Sequence, residues 1–299
     1  MPGDQYTTVV AVIGRPNAGK STLINSLVGQ KVAITSRRPQ TTRHRIHAIH
    51  SKENYQFIFI DTPGINQTSQ SAFLQELNKT TRSVLSDADV VLFMLDGLTW
   101  DRTEEAIFKY FPPGEINCIA IVNKIDRFRQ QHARVTAFLQ KLQQQGRFTE
   151  IVPLSSRKPT DVSYLEKILR KYAVKGDFMF PVEQHTDQNM QFYVSELIRE
   201  KILRRYNQEI PYSAAVVIDR YDESDRELRI KATIHVEQES HKQIIVGKGG
   251  LGIREVGKQV RQLLEKETGV HVDIRLWVKV SRSWSTNPKL LREFGYESS

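Results

Sequence analysis

Cysteine and long apolar runs are both scarce in this chain of 299 residues. The single cysteine, Cys118, excludes an internal disulfide framework, and its place in the apolar run CIAIV predicts a buried thiol in a reducing cytosol. No apolar stretch approaches the roughly 20 residues that a membrane-spanning helix needs. The N-terminus MPGDQYTT also lacks the basic and apolar pattern of a signal peptide. We therefore expect a cytoplasmic protein.

Internal repeats and low-complexity tracts are absent as well, which argues against a solenoid or a long disordered region. The hydrophobic fraction of 39% and the charged fraction of 26% are those of a globular protein. The length allows one large domain or two ordinary domains, each with its own core.

Charge is not scarce, and it is unevenly distributed. The net charge of +9 comes from residues 1–175, because residues 176–299 hold 19 basic and 19 acidic side chains. Within that neutral half, however, the stretch 242–261 has five basic residues and one acid, and 274–292 has five basic residues and no acid. Such segregation predicts a basic face for an anionic partner.

Residues 1–175 alternate short apolar runs with helical patterns. The runs TTVVAVIG, YQFIFID, DVVLFMLDG, CIAIVNKID and EIVPLS are apolar enough to be strands buried on both faces. This pattern predicts a doubly wound α/β domain with a mostly parallel sheet, whose last helix is VSYLEKILRKYAV. The polar residues 176–190, with Gly176 and Pro181, are predicted to be a linker.

Residues 191–299 have a different pattern. The amphipathic helix NMQFYVSELIREKILRRYN precedes two β-rich runs, SAAVVIDRYDE and ELRIKATIHVEQ, that are typical of a hairpin. A helix–loop–helix pattern around VGKGG and a final strand, VHVDIRLWVKV, follow. The second half is therefore predicted to be a separate α+β domain.

The clearest motif is GRPNAGKS at 14–21, which fits G-x-x-x-x-G-K-[ST] between a strand and a helix. Backbone N–H groups of such a loop wrap a phosphate, with the helix N-terminus behind it. Lys20 is expected to reach the β- and γ-phosphates, and the Ser21 hydroxyl to bind Mg²⁺. The predicted contacts are Gly14, Arg15, Pro16, Asn17, Ala18, Gly19, Lys20, Ser21 and Thr22.

DTPG follows the apolar run QFIFI. Asp61 is expected to act on Mg²⁺ through a water, and the Gly64 amide to sense the γ-phosphate. Upstream, the segment SRRPQTTRHRIHAI offers a hydroxyl that completes the Mg²⁺ shell only when GTP is bound; we assign Thr42, with Thr41 as the alternative. The predicted catalytic residues are Lys20, Thr42, Asp61 and Gly64, and Thr62 and Pro63 complete the loop.

NKID ends the apolar run CIAIV. The Asp126 carboxylate can accept two hydrogen bonds from the N1–H and the amine of guanine, whereas adenine would leave it unpaired. Lys124 could cover the base, Asn123 could tie two loops together, and the Ser156 amide of LSSR could meet the guanine oxygen. The predicted base contacts are Asn123, Lys124, Ile125, Asp126, Ser155, Ser156 and Arg157. Four motifs at strand ends predict a GTPase that binds GTP and GDP.

The residue after DTPG is Ile65, where many GTPases carry a glutamine that orients the attacking water. Isoleucine cannot do this, so we expect hydrolysis that is slow or assisted by another group. Asn17 could ligate a monovalent cation such as K⁺ beside the phosphates, or it could cap the loop, and both interpretations stay open.

VGKGG lacks the lysine–serine pair that a triphosphate needs, and it lies between two helices. This arrangement is typical of the G-x-x-G loop of a KH domain of the bacterial type, which clamps single-stranded RNA. Beyond it, LWVKVSRSW mixes tryptophan with basic residues; we expect Trp277 in the core and assign Trp284 to RNA contact. The predicted RNA-binding residues are Lys242, Gly247, Lys248, Gly249, Gly250, Arg254, Lys258, Lys279, Arg282 and Trp284.

A P-loop GTPase followed by a KH domain, with GRPNAGKSTLINSLVGQKVAITSRRPQTTRHRI and LWVKVSRSW, resembles the Era family of bacterial GTPases from about Thr7 to Tyr296. The resemblance implies binding to the 3′ end of small-subunit ribosomal RNA, a role in 30S subunit maturation, and a loose association with the inner membrane. We also expect a monomer. The family pattern S-A-E or S-A-K followed by glycine is replaced here by Ser156, Arg157 and Pro159.

Two alternatives remain at the level of sequence. One is a signalling GTPase whose C-terminal domain contacts a protein or an anionic membrane. The other is a nucleotide-dependent kinase, which Asp126 and the lack of an evident acceptor site disfavour.

Overall fold

The computed structural model describes residues 4–35, 46–61, 84–108, 111, 116–206 and 214–295. They form two compact units that divide between Asp187 and Gln188. The first unit contains a six-stranded sheet, built from β1 (Tyr6–Gly14), β2 (Ile46–Lys52), β3 (Tyr55–Asp61), β4 (Val90–Asp96), β5 (Asn117–Asn123) and β6 (Glu150–Pro153). The strand order is β2-β3-β1-β4-β5-β6.

The sheet is parallel except at one edge. β1 pairs in parallel with β3 and β4, and β5 pairs in parallel with β4 and β6. Every residue of β4 from Val90 to Leu95 is buried, because helices cover both faces of the sheet. The predicted α/β architecture is therefore confirmed. The antiparallel edge strand β2 was not predicted, because its sequence IHAIHSK mixes polar residues into a short apolar pattern.

Helices of the first unit include Lys20–Val28, Arg102–Phe108, His132–Gln144 and Pro159–Leu169, with 3₁₀ turns at Ile125–Phe128 and Arg170–Tyr172. Residues 84–87 are also helical. Two apolar clusters lie on opposite faces of the sheet, and Cys118 is buried in one of them, as predicted. The last of these helices begins earlier than predicted, because Pro159 suits the first helical turn.

The segment 174–187, most of which lies in the linker predicted at 176–190, pairs with the first unit. Lys175 forms a bridge with Tyr6, and Thr186 forms one with Ala48 on β2. The His185 carbonyl accepts a 2.9 Å hydrogen bond from the Ile49 amide, so this segment pairs with the outer edge of β2. The polar composition typical of a linker gave no sign of this pairing.

The second unit has a three-stranded sheet of β7 (Ala215–Glu223), β8 (Glu227–Val236) and β9 (His271–Val280). β8 is central, antiparallel to β7 and parallel to β9. Its described helices are Met190–Arg205, Glu239–Val246, Leu251–Thr268 and Pro288–Glu293, with 3₁₀ turns at Lys248–Gly250 and Trp284–Thr286. The predicted order helix–strand–strand–helix–GKGG–helix–strand is confirmed.

One face of this second sheet packs on helices. Val194, Leu197 and Ile198 of the first helix share a core with Val256, Val260 and Leu264 of the helix that follows GKGG. Within the ranges described, no helix combines the length and the apolar composition that crossing a bilayer requires.

Candidate functional site

The loop Gly14–Lys20 needs glycine at two positions. A Cβ on Gly14 (φ 153°) would lie 2.4 Å from the Met94 carbonyl oxygen of β4, and one on Gly19 (φ 106°) would lie 2.2 Å from Asn123 Nδ2. Asn17 also has a left-handed backbone, with φ 66°. The loop that follows β1 therefore packs tightly against the C-terminal ends of β4 and β5.

Lys20 lies inside this loop. Its Nζ donates hydrogen bonds to the carbonyl oxygens of Gly14 at 3.0 Å and Arg15 at 3.2 Å, and the residue is 7% exposed. Burial lowers the pKa of Lys20 to about 8, and the nearby Asp61 carboxylate offsets part of that decrease. The ammonium group thus occupies the centre of a turn of backbone amides that suits a phosphate.

Ser21 and Asp61 meet where two strands end. The Ser21 hydroxyl donates a 2.7 Å hydrogen bond to Asp61 Oδ2, and Asp61, the last residue of β3, is fully buried. A hydroxyl and a carboxylate are hard oxygen donors of the kind that Mg²⁺ takes in nucleotide sites. The donor set therefore fits the predicted ion.

Asn123 joins the phosphate loop to the base loop, as predicted. Its Nδ2 donates to the Ala18 carbonyl oxygen at 2.7 Å. Its Oδ1 accepts from the Ser156 amide at 3.0 Å and from the Ser156 hydroxyl at 2.8 Å. In this structure the amide assigned to the guanine oxygen is therefore donated to Asn123. Ser155 and Ser156 are both buried, and the Ser155 amide donates to Asp161 Oδ2 at 2.9 Å.

Lys124 spans the same two loops from the other side. Its Nζ lies 2.7 Å from the Asn17 carbonyl oxygen and 2.7 Å from Asp96 Oδ1, and its backbone is left-handed with φ 60°. Asp126, two residues later, is exposed and forms no hydrogen bond or ion pair with a described residue. Its carboxylate is therefore accessible to a base stacked beside Lys124.

Three acidic side chains at this edge were not singled out from the sequence: Asp96, Asp101 and Glu104. The Arg15 guanidinium lies 3.2 Å from Asp101 Oδ2 and 3.2 Å from Glu104 Oε1. Glu104 is fully buried, and burial raises its pKa. The side chain of Arg15 is thus turned to these acids. Their position at or just beyond the end of β4, the neighbour of β1, is the signal that could have identified them.

The other predicted contacts divide by position. Pro16, Ala18, Thr22, Ile125 and Arg157 lie in or beside the two loops, and Ala18 is fully buried while Arg157 is exposed. The Asn17 side chain makes no hydrogen bond to a described residue, so it does not cap the loop there. The predicted switch residues Thr41, Thr42, Thr62, Pro63, Gly64 and Ile65 lie outside the described residues.

The second glycine loop also requires its glycines. Gly247, Gly249 and Gly250 have φ angles of 71°, 60° and 78°, and a Cβ on Gly247 would lie 2.9 Å from the Gly252 amide nitrogen. Lys248 and Gly249 are exposed at the tip, between the helices Glu239–Val246 and Leu251–Thr268. The loop therefore presents backbone to a ligand without side-chain obstruction.

An open groove runs between the helix Leu251–Thr268 and β9. Its floor is apolar, with Ile253 and Gly257 on the helix and Ile274 and Leu276 on the strand. Its rim is cationic and exposed, and it includes Arg254, Lys258 and Arg261. None of these three, nor Lys248, forms an ion pair with any residue that the structure describes. An apolar floor with unneutralised cations at its rim suits bases and phosphates.

The structure reverses the two tryptophan predictions. Trp284 is fully buried, with its ring centroid 5.8 Å from that of Phe294, so its assignment to RNA contact is wrong. Trp277, which we expected in the core, is 48% exposed. The short 3₁₀ turn after β9 folds Trp284 back under the helix Pro288–Glu293, which the sequence pattern did not indicate.

The remaining predicted RNA contacts do not share one surface. Lys242, beside the GKGG loop, is half-buried and lies 3.8 Å from Glu239. Arg282 is exposed beyond β9. Lys279 alternates along β9 with Leu276, Val278 and Val280, which pack on the core, so it lies on the opposite face of the sheet from the groove.

Two family models match the chain. Residues 9–124 match a model described as a 50S ribosome-binding GTPase, and residues 209–285 match a KH domain model. These ranges contain the phosphate loop and the GKGG loop, respectively.

Relatives match over nearly the whole length. GTPase Era of Coxiella burnetii is 38% identical over 292 residues, covering 98% of both chains, and that of Vibrio cholerae is 37% identical over 298 residues, covering 99% of this chain and 91% of that one. A crystal structure of Era in complex with MgGDPNP and nucleotides 1506–1542 of 16S ribosomal RNA has a TM-score of 0.93 at 35% identity, covering 98% of this chain and 100% of that one. An Aquifex aeolicus Era variant bound to GDP and AlF₄⁻ gives the same values. With such identity along both units, the chain belongs to the Era family of GTPases.

Proposed function

We propose that this protein is a GTP-hydrolysing switch that binds the 3′ region of small-subunit ribosomal RNA through its KH domain and assists 30S maturation. One observation carries the first part: three strand ends converge on one phosphate loop. β1 leads to Lys20, β3 places Asp61 2.7 Å from Ser21, and β5 places Asn123 2.7 Å from the Ala18 carbonyl oxygen.

Each of these groups has a defined task with the nucleotide. Lys20 exchanges the carbonyl oxygens of Gly14 and Arg15 for phosphate oxygens, which are stronger acceptors because they are charged. Ser21 and Asp61 would hold Mg²⁺, which when bound neutralises negative charge on the phosphates during transfer. The Gly14–Lys20 backbone amides orient the phosphates, so this part of the barrier is lowered by positioning.

Base choice falls to Asp126. Its exposed carboxylate accepts hydrogen bonds from guanine, while Lys124, held by Asp96 and the Asn17 carbonyl, covers the base. Adenine offers no N1–H, so it would leave a desolvated carboxylate without a partner. We therefore expect GTP, and not ATP, to compete with bound fluorescent GDP.

The RNA part rests on the GKGG loop and its groove. Era in the crystal structure cited above is bound to nucleotides 1506–1542 of 16S ribosomal RNA. The groove of this chain has exposed cations at Arg254, Lys258 and Arg261 beside an apolar floor, and Lys248 is exposed on the GKGG loop. Phosphates on the glycine loop and bases on the floor match the way KH domains hold about four nucleotides.

The decisive experiment measures GTP hydrolysis with and without an oligonucleotide that copies the 3′ end of small-subunit ribosomal RNA. The variants are Gly249→Asp, where a Cβ would meet no atom within 4 Å but the φ of 60° favours glycine, and the control Gly176→Asp on the first unit, where a Cβ would be equally open. Equal thermal unfolding midpoints of the two variants would show that the backbone strain at Gly249 does not unfold the second unit. We expect RNA to stimulate the parent and the control but not Gly249→Asp. Equal RNA binding with GDP and with GTP, and no stimulation, would show two uncoupled modules.

Three further features belong to the proposal. The Asn17 side chain, which makes no hydrogen bond to a described residue, ligates K⁺. Hydrolysis should therefore be faster in K⁺ than in Na⁺, and Asn17→Ala should lose that difference.

The protein acts in the cytoplasm and is a monomer; light scattering tests its oligomeric state. Its association with the inner membrane is peripheral, and flotation with anionic vesicles at low and high salt tests it.

A further inference from the structure

β9 contributes to two surfaces of the second unit. It is an edge strand, paired on one side with β8. Ile274 and Leu276 point to the RNA groove, whereas the alternate residues Arg275, Trp277 and Lys279 are exposed on the other face of the sheet. A ligand strand that leaves the groove across the β9 edge therefore reaches the outer face of the sheet directly.

Trp277 is the exposed aromatic ring of this outer face. It is 48% exposed and lies opposite Thr233 of β8, which in turn lies opposite Val217 of β7. Thr233 is short, and its hydroxyl is turned to Asp219 Oδ2 at 2.7 Å. The cross-strand neighbours therefore leave the indole uncovered.

Basic side chains flank the ring along β9, and Asp219 and Asp273 lie on the same face. Arg275 and Lys279 lie two residues before and after Trp277 on β9, and Lys231 lies opposite Arg275 on β8. Arg275 is paired with Asp273 at 3.2 Å, but neither Lys231 nor Lys279 forms an ion pair with a residue in the described ranges. Arg275 and Lys279 are separated by about 13 Å at the usual strand rise. Asp222, Glu227 and Asp273 lie in the same surface depression as Lys231. Two amines that form no ion pair with a described residue, beside an exposed ring, nevertheless favour an anionic aromatic partner.

Aromatic side chains of the protein itself cover one end of this outer face. Phe294 lies 4.3 Å from the His235 ring, centroid to centroid, and Trp284 packs behind it. His235 lies opposite Lys279 in the register, so the covered part ends beside that lysine. The surface around Trp277 is thus bounded and still open.

We propose that the outer face of β9 is a second RNA site, in which Trp277 stacks on a base and Lys279 and Lys231 neutralise the flanking phosphates. The RNA strand is the one that leaves the GKGG groove across the β9 edge. Stacking on an aromatic ring tolerates any base, so this site makes the affinity depend on the length of the RNA and not on its sequence. The inference rests on the proposed RNA-binding function.

The test compares two RNA oligonucleotides, one of five nucleotides that fills only the groove and one of about twelve that extends the same core in both directions. Affinities are measured for the parent, Trp277→Ala, Trp277→Phe and Lys279→Gln. Tyr164→Ala, another exposed aromatic at 59%, is the matched control on the first unit. We expect Trp277→Ala to weaken binding of the long RNA by about 5- to 100-fold and to leave the short RNA unchanged. Trp277→Phe and Tyr164→Ala should stay close to the parent.

Fluorescence gives an independent signal, because the chain has three tryptophans and Trp284 is buried. The long RNA should quench more emission than the short RNA in the parent, and this difference should vanish in Trp277→Phe. Equal thermal unfolding midpoints of the parent and Trp277→Ala would show that the fold is intact.

Three results would overturn the inference. In the first, Trp277→Ala weakens the short and long RNAs equally, which makes the residue part of the groove. In the second, Trp277→Ala changes the affinity for neither RNA while Gly249→Asp abolishes binding, which leaves the proposed function standing without a second site. In the third, Trp277→Ala alters only self-association in light scattering, which assigns the face to a second copy. Full RNA binding by Gly249→Asp would contradict the proposed function instead.

Discussion

At the scale of single residues, Asn123 matters more than its short side chain suggests. It is 2% exposed and makes hydrogen bonds to Ala18 and Ser156 that hold the phosphate loop and the base loop together. A buried amide with all these partners fixes the relative position of two loops that are distant in sequence. Nucleotide affinity should therefore depend on a residue that need not touch the nucleotide.

We predict that Asn123→Ala lowers the free energy of unfolding by about 1–3 kcal/mol, because it leaves buried partners without a hydrogen bond. GDP affinity should fall roughly 5- to 150-fold, the equivalent of that energy. Isothermal titration and urea unfolding measure the two effects. Ser156→Ala, which removes only the hydroxyl donor, is the control and should lose less; equal losses would refute the role of the Asn123 bridge.

The single thiol gives a pH prediction. Burial raises the pKa of Cys118 to about 12, whereas an unfolded cysteine titrates near 8.5. Between these values the unfolded state binds fewer protons than the folded state, so the free energy of unfolding falls as pH rises. The stability due to the protonated thiol is thus complete below about pH 8.5 and is lost on the way to pH 12.

Urea unfolding of the parent and Cys118→Ala at pH 7.5 and pH 10 tests this. The stability difference between the two proteins should shrink at pH 10 by about 1.4–2 kcal/mol, at 1.4 kcal/mol per pH unit. Other groups titrate in both proteins and cancel in the comparison. An unchanged difference would show that the thiol does not keep its proton in the folded state.

At the scale of elements, the segment 174–187 behaves as part of the first sheet. The side chain of Gln56 on β3 is fully buried and anchors this segment through hydrogen bonds. Its Nε2 donates to the Phe180 carbonyl at 2.8 Å, and its Oε1 accepts from the amides of Met179 at 2.9 Å and Phe180 at 3.1 Å. The segment covers the outer edge of β2, which would otherwise be free to pair with other chains.

We predict that Gln56→Leu detaches this segment while the sheet stays folded, because the leucine removes three anchors at one point. Hydrogen exchange at Met179 and Phe180 should become at least tenfold faster, as expected for local opening. Thr7→Val, which removes only the hydrogen bond to the Asp177 carbonyl, is the milder control. Unchanged exchange in the peptide 174–187 would contradict the anchoring role.

At the scale of the whole molecule, net charge and binding charge are separate properties. Residues 188–299 hold 19 basic and 16 acidic side chains. The excess is small, yet Arg254, Lys258 and Arg261 line one groove without acidic partners in the described ranges. The number of counterions released when RNA binds should depend on this local cluster and not on the net charge, because screened charges act over about one Debye length.

We therefore predict that Lys258→Gln reduces the slope of log affinity against log salt concentration by about 0.7 for single-stranded RNA. Lys171→Gln, which removes an exposed cation of the first unit, should leave the slope unchanged although it lowers net charge equally. Fluorescence anisotropy at four salt concentrations measures both. Equal slope changes would mean that the overall field attracts the RNA.

The sequence by itself determined the parts of this protein that depend on neighbours along the chain. The phosphate loop, NKID and GKGG each combine a fixed backbone shape with a few functional groups inside ten residues, so a short pattern identifies them. Alternation of apolar runs with helical periods likewise predicted both folds, since each element must bury its apolar face.

Only the tertiary structure decided which faces are covered and by what. The period of two along β9 separates Trp277 from Leu276, but the helix Leu251–Thr268 decides that Leu276 is the inner one. Trp284 is buried because the chain turns back beneath Phe294, and Arg15 faces Glu104 because β4 lies beside β1. These contacts join different elements of the fold, and their free energy comes from burial that no local pattern records.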